Sequence, residues 1–143
     1  MLDTNVVLDW LVFADPGVAP IARAIETHAI ALVTGSDCRE ELRRVLVHAR
    51  LPLTLAGRER ALARYDALAV PLAAAAQNTP LPRCRDASDQ KFLELARDSG
   101  AHWLVSKDRA LLRLARRTQA AGLFGIVGVA EAGRLLGRAH ETL

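Results

Sequence analysis

The 143-residue chain has few cysteines, lysines and aromatic residues. Cys38 and Cys84 are the only cysteines, and they lack the close spacing of a zinc or redox motif. We expect both to be small buried residues outside any mechanism, since a disulfide is improbable in a cytosolic protein. No uninterrupted apolar run reaches the roughly 18 residues needed to span a bilayer. Asp3 and Asp9 interrupt the apolar N-terminal stretch, so we expect no secretory signal, no membrane association and a cytoplasmic location.

Lysine is almost absent, although the chain is basic. The formal net charge is +3 and the calculated pI is about 9.4, which favours polyanionic partners. Lys91 and Lys107 are the only lysines, so nearly every base is arginine, and alanine is abundant. That pattern also fits a codon bias, and charge alone therefore contributes little to a functional assignment.

Apolar runs and helical spacings alternate along the chain. Runs of strand type lie at 1–3, 30–34, 102–106 and 124–127, and a further short strand is expected within 70–82. Helical spacing predicts helices over 4–13, 18–28, 36–50, 55–69, 89–99, 109–118 and 129–136. Strands that alternate with helices need crossover connections, which predict one α/β domain with a parallel sheet covered on both faces.

Four acidic residues lie where a predicted strand ends or a predicted helix begins. They are Asp3, Glu41, Asp89 and Asp108. In open parallel sheets, functional groups collect at the carboxyl ends of the strands, so the four side chains can converge. A cluster of like charges needs a compensating cation. Oxygen-only ligands favour Mg²⁺ or Mn²⁺, and such a site suits phosphodiester hydrolysis.

Each acid also has an ordinary structural interpretation. An Asp at a strand end is often a turn residue or a helix cap, and both Asp86 and Asp89 suit that role. Glu41 and its arginine neighbours can form a solvated helix face with i,i+4 pairs. The functional interpretation depends on the four acids occurring together in strand–helix order.

Ordered motifs along nearly the whole chain resemble the PIN-domain family, close to the PIN-type toxins of bacterial toxin–antitoxin systems. The motifs are Leu2-Asp3-Thr4-Asn5-Val6, Glu41-Leu42 before Val45-Leu46, Arg85-Asp86-Ala87-Ser88-Asp89-Gln90-Lys91-Phe92-Leu93, Leu104-Val105-Ser106-Lys107-Asp108, and Phe124-Gly125-Ile126-Val127. Any one motif is weak evidence, whereas the ordered set is specific.

The resemblance implies a fold and an activity. The fold would be a single PIN-like three-layer α/β/α domain over residues 1–143, with a central, mostly parallel sheet of four to five strands. The activity would be Mg²⁺- or Mn²⁺-dependent endoribonuclease cleavage of single-stranded RNA. The expected partners would be single-stranded or structured RNA, a cognate antitoxin and a second copy of the chain in a homodimer.

The resemblance also assigns roles to individual residues. The catalytic acids would be Asp3, Glu41, Asp89 and Asp108, and all of these except Glu41 would bind the metal. Asn5 and Ser106 would orient the carboxylates or their waters, and Asp86 is a secondary candidate that suits a helix cap. Lys107 stands where the family commonly has glycine, so its charge can contact a substrate phosphate or compete with the metal.

Basic residues flank two of the acids. Arg39 and Arg43 lie beside Glu41, and Lys107 and Arg109 lie beside Asp108. They are candidate contacts for RNA phosphates, and a solvated amphipathic face is the alternative.

Two other classes of function remain open. One is a catalytically impaired PIN-like domain that binds RNA or protein. The other is a Mg²⁺-dependent phosphotransfer enzyme, such as a phosphatase on a related α/β fold. A haloacid-dehalogenase site requires Asp-x-Asp near its start, and Asp3-Thr4-Asn5 does not provide it.

Overall fold

The chain folds into short parallel strands connected by helices. The computed structural model describes residues 1–48, 50–72 and 77–141, without the side chain of residue 140. The strands are β1 (Leu32–Thr34), β2 (Ala69–Pro71), β3 (Trp103–Val105) and β4 (Gly125–Val127). The helices are α1 (Thr4–Leu11), α2 (Ala19–Glu26), α3 (Ser36–Leu46), α4 (Leu55–Leu68), α5 (Gln90–Ser99), α6 (Arg109–Leu112), α7 (Ala115–Ala120) and α8 (Val129–Glu141), with 3-10 turns at Pro16–Val18 and Ala87–Asp89.

The strands form parallel pairs, as the alternation of strands and helices predicts. Within the described ranges, β1 pairs with β2 and β3 pairs with β4. The N-terminal segment extends the second pair, because Leu2 forms a parallel bridge with Val105 and the Asp3 amide donates to the Val105 carbonyl at 3.0 Å. The mixed α/β class is therefore confirmed. A single central sheet of four to five strands is not confirmed, since the described strands belong to two separate two-stranded sheets.

The apolar residues form two clusters. One cluster joins α1, α2, α3 and α4, and it includes Val6, Ile21 and Leu42. The other surrounds β3 and β4 and includes Leu93 and Leu104, each 0% exposed. Both cysteines are buried, reduced members of this second cluster, and burial raises the pKa of the Cys38 thiol to about 12. They are packing residues, as the sequence predicts.

Several element boundaries differ from the sequence prediction. The helix predicted over 109–118 is two helices, since α6 ends at Leu112 and α7 begins at Ala115. A tight turn separates them, in which the Leu114 amide donates to the Leu111 carbonyl at 2.9 Å. This turn buries both leucines. By contrast, α5 ends as predicted at Gly100, whose left-handed φ of 64° suits glycine. Position 49 of the predicted third helix and positions 73–76 of the stretch predicted to hold a strand lie outside the described residues.

Candidate metal centre

Asp3 lies buried at the carboxyl end of the N-terminal segment. It caps α1, since the Val6 amide donates to its Oδ1 at 2.9 Å. Its Oδ2 accepts bonds from the Ser106 hydroxyl and, at 3.2 Å, from the Lys107 amide. The side chain is thus held by three donors at 4% exposure. Burial raises the pKa of Asp3, and the charge of Asp108 adds to this increase while the three hydrogen bonds oppose it.

Asp86, Asp89 and Asp108 form the acidic cluster of the site, called here the Asp triad. One carboxylate oxygen from each lies within 4.8 Å of the other two. Asp86 precedes the 3-10 turn before α5 and Asp89 is the last residue of that turn, whereas Asp108 follows β3. The topology therefore brings together residues that are about 20 positions apart in the sequence.

Two members of the Asp triad also cap helical turns. Asp86 accepts a bond from the Ser88 amide at 2.9 Å, and Asp108 accepts one from the Ala110 amide at 2.8 Å. The capping interpretation is therefore correct for Asp86 and wrong for Asp89, whose side chain makes no cap bond at the start of α5. A capping role does not exclude a functional one. A cap uses one oxygen of a carboxylate and leaves the other available to a ligand.

The triad is electrostatically strained without a cation. Burial raises the pKa of Asp89 to about 7, and the nearby Asp108, Asp86 and Glu41 carboxylates contribute further. A hydrogen bond from Asp89 lowers the pKa of Asp108, with the Ala110 amide contributing in the same direction. The two carboxyl groups therefore interact, and their pKa values shift in opposite directions, as expected when like charges are held together.

Glu41 approaches the triad from α3. The Lys91 ammonium donates both to Glu41 and to the Ser88 carbonyl, so Glu41 lies beside the turn that carries Asp89. The Thr4 hydroxyl donates to Glu41 Oε2, and the Lys91 ammonium donates to Glu41 Oε1 at 2.8 Å. Both oxygens of Glu41 therefore already have protein donors.

The supporting residues differ in position. Ser106 is 0% exposed and joins two acids, because its hydroxyl donates to Asp3 and accepts from the Asp108 amide at 3.0 Å. Asn5 is exposed in the first turn of α1. No contact within the described ranges links its side chain to the acids, so its predicted role stays a prediction.

Sequence reasoning gave no role to Lys91 or Thr4, which both contact Glu41. The signal for Lys91 was present, because a cluster of acids requires a compensating cation and Lys91 lies two residues after Asp89. The Thr4 contact had no such signal, since it depends on how α1 packs against α3.

Three of the predicted RNA-binding bases have acidic partners. Arg39 makes a bidentate pair with Asp66 at 2.7–2.8 Å, and Arg43 makes one with Glu40. The Lys107 ammonium contacts Asp9 at 2.7 Å, and this bond raises the pKa of Lys107. Arg109 is exposed at the start of α6. RNA contact by these residues stays a prediction.

The donor set of the Asp triad fits a hard divalent cation. All of its ligand atoms are carboxylate oxygens, which come from a 3-10 turn and a strand end. The spacing of these oxygens suits a single ion. Such a cation would offset the repulsion among these carboxylates, which adds to the effect of burial on the pKa of Asp89. These features define the class of the molecule as an α/β domain with a candidate divalent-metal centre beside its strand ends.

The PIN domain family profile matches residues 1–110, which is more than half of the chain. The chain therefore belongs to the PIN domain family, whose members are generally nucleases that use divalent metals. No curated protein and no solved structure matches it.

Within the described part of the chain, no single helix is long and apolar enough to cross a membrane. The segments Thr4–Leu11 and Pro16–Glu26 meet the length and composition criteria only as a pair, bent by 107°.

Proposed function

We propose that the protein is a metal-dependent endoribonuclease that hydrolyses phosphodiester bonds of single-stranded RNA. The observation that carries the proposal is the Asp triad, with carboxylate oxygens within 4.8 Å of one another in a PIN domain. Mutual repulsion makes this arrangement costly unless a cation binds. Ionisable groups with strongly perturbed pKa values, such as Asp89, cluster at functional sites.

The proposed roles follow from the contacts. Asp89 and Asp108 would hold the divalent ion together with Asp86, which the sequence interpretation treated as secondary. The family resemblance also predicts Asp3 as a metal ligand, together with Asp89 and Asp108. We propose that it acts mainly behind Asp108, because Ser106 and two backbone amides already occupy its oxygens.

The chemistry of the proposal requires charge stabilisation and an activated water. A bound divalent ion lowers the pKa of coordinated water and offsets charge on the reacting phosphate. Asp89 and Asp108 would fix the position at which the phosphate binds. Glu41 would orient the attacking water at the edge of the site, where Thr4 and Lys91 hold its carboxylate.

The proposal is tested with defined single-stranded RNAs in Mg²⁺, Mn²⁺ or EDTA, with wild type and Asp89→Asn assayed side by side. We expect cleavage by wild type in either metal, none in EDTA, and a loss of at least 100-fold for the variant. The substitution preserves shape and removes charge. Full metal-dependent activity in Asp89→Asn would show that the site is misassigned.

We further propose that the chain acts as the toxin of a toxin–antitoxin pair, with a cognate antitoxin and a homodimeric state. This proposal is supported only by the resemblance of the motifs to PIN-type toxins. Expression of wild type but not Asp89→Asn should arrest bacterial growth. Equal growth with both proteins would contradict the toxin role while leaving the nuclease proposal open.

A catalytically impaired domain that binds RNA is the second candidate, and one observation favours it. The Lys91 ammonium already pairs with Glu41, so part of the negative charge available to a metal is neutralised. This candidate predicts RNA binding that persists in EDTA, weakens as salt increases, and is not followed by cleavage in either metal.

A further inference from the structure

Lys91 places a positive charge beside the Asp triad. Its ammonium donates to Glu41 Oε1 at 2.8 Å and to the carbonyl of Ser88, which lies between Asp86 and Asp89 in the chain. It also lies 5.2 Å from the centroid of the Phe92 ring. The bond to the Ser88 carbonyl holds the ammonium group against the turn that carries Asp86 and Asp89, so its charge lies beside the triad as well as beside Glu41.

The Lys91–Glu41 pair is more shielded than the other lysine pair. The side chains of Lys91 and Glu41 are 18% and 22% exposed, whereas Lys107 in its pair with Asp9 is 49% exposed. Reduced hydration strengthens a charge interaction and makes either partner costly to leave alone. The Thr4 hydroxyl donates to Oε2, the other oxygen of Glu41, so both oxygens of this carboxylate have donors.

We propose that Lys91 is a positioning residue that holds Glu41 outside the metal coordination shell and weakens divalent-ion binding at the Asp triad. This inference rests on the proposed function, because it concerns the ion bound at the same site. Lys91 acts in two ways: its charge repels a divalent ion, and its bond to Glu41 withholds a fourth carboxylate. The site then consists of three Asp ligands and the fixed positive charge of the Lys91 ammonium.

The test is calorimetric titration of the purified full chain with Mn²⁺. Replacement of Lys91 by Met or by Gln should tighten binding by roughly tenfold, since a unit charge several ångströms from a divalent ion has an effect of this order in a partly hydrated site. The double variant Lys91→Met/Glu41→Gln should return to about the wild-type affinity, because it removes one charge of each sign and leaves no released carboxylate to bind the ion. Lys91→Arg keeps the charge and should stay near wild type.

Arg64→Met is the matched control, because it removes the same unit of positive charge from a residue with no assigned role at the site. The Arg64 guanidinium pairs with Glu26 rather than with the triad, so the Mn²⁺ affinity should change by no more than about twofold. Circular dichroism of each variant confirms folding, and Lys91→Gln serves if Lys91→Met fails to fold.

Three results separate the possible conclusions. Unchanged or weaker Mn²⁺ binding in both neutral Lys91 variants would overturn the inference. A double variant that binds far more weakly than wild type would also overturn it, since Glu41 would then be a ligand in the wild-type site. Absence of Mn²⁺ binding in wild type, or binding that survives Asp89→Asn, would instead contradict the proposed metal centre itself.

Discussion

Replacing Asp89 by Asn should stabilise the metal-free protein at neutral pH while abolishing activity. Burial and three neighbouring acids raise the pKa of Asp89 from 3.8 to about 7. In the folded protein this carboxyl group therefore costs free energy when it ionises. Asparagine has almost the same shape and carries no charge, so it removes this cost.

The size of the gain follows from the pKa shift after an allowance for solvent. One pKa unit corresponds to about 1.4 kcal/mol, but Asp89 is only partly buried, so water and salt screen much of the repulsion. We expect a gain of about 1 kcal/mol in the free energy of unfolding. A domain of this size should then melt roughly 3 °C higher.

The sign of the pH dependence is fixed by the direction of the shift. Because the folded-state pKa lies above the unfolded value, the folded protein retains a proton that the unfolded chain releases. The contribution of Asp89 to stability is therefore intact below about pH 4 and is lost as pH rises toward 7. The advantage of Asp89→Asn should grow over this window and stay constant above it.

Chemical denaturation in EDTA at pH 5, 6, 7 and 8 measures this effect. Asp98→Asn is the control, because Asp98 lies on the same helix but its pKa is lowered by bonds from Arg97 and the Gln77 amide. That variant should be no more stable than wild type. With Mn²⁺ the order should change, since only wild type gains stability from binding. If Asp89→Asn is equal to or less stable than wild type at pH 8 in EDTA, burial and repulsion do not destabilise the ionised Asp89.

Two further predictions concern packing near the strands. Tyr65→Phe should cost about 1 kcal/mol of stability, because the buried Tyr65 hydroxyl donates to Thr34 at 2.7 Å and its removal leaves Thr34 without that partner. Urea denaturation of this variant and of Thr34→Val measures the loss. A cost below about 0.3 kcal/mol would contradict the prediction. Gly125→Ala should displace the Trp103 ring, since an added Cβ would lie 2.2 Å from it. We expect a red shift in tryptophan fluorescence that disappears in the Trp103→Phe background. An unchanged spectrum would refute this prediction.

The fold class followed from local patterns in the sequence. Short apolar runs and helical spacings predict a parallel α/β domain, and the pairing of β1 with β2 and β3 with β4 confirms it. The expected single central sheet of four to five strands is not confirmed, since the described strands form two two-stranded sheets. Which strands hydrogen-bond to one another depends on how the helices pack between them, which side-chain spacing does not specify.

The acidic residues illustrate the same division at the site. The sequence singled out Asp89 and Asp108 because each lies at an element boundary, and it named Asp86 as a cap. The structure adds that all three approach within 4.8 Å, and that Asp86 caps a turn while facing the others. Their catalytic and metal-binding roles stay predictions.

The sequence by itself determined the chemistry available to this protein: oxygen ligands, strands followed by acids, and the family to which the chain belongs. Only the tertiary structure decided how those charges are balanced. Lys91 meets Glu41 across 50 positions, and Ser106 meets Asp3 across 103. Contacts of such separation arise from the packing of helices on strands, and no local pattern of residues encodes which oxygen each donor reaches.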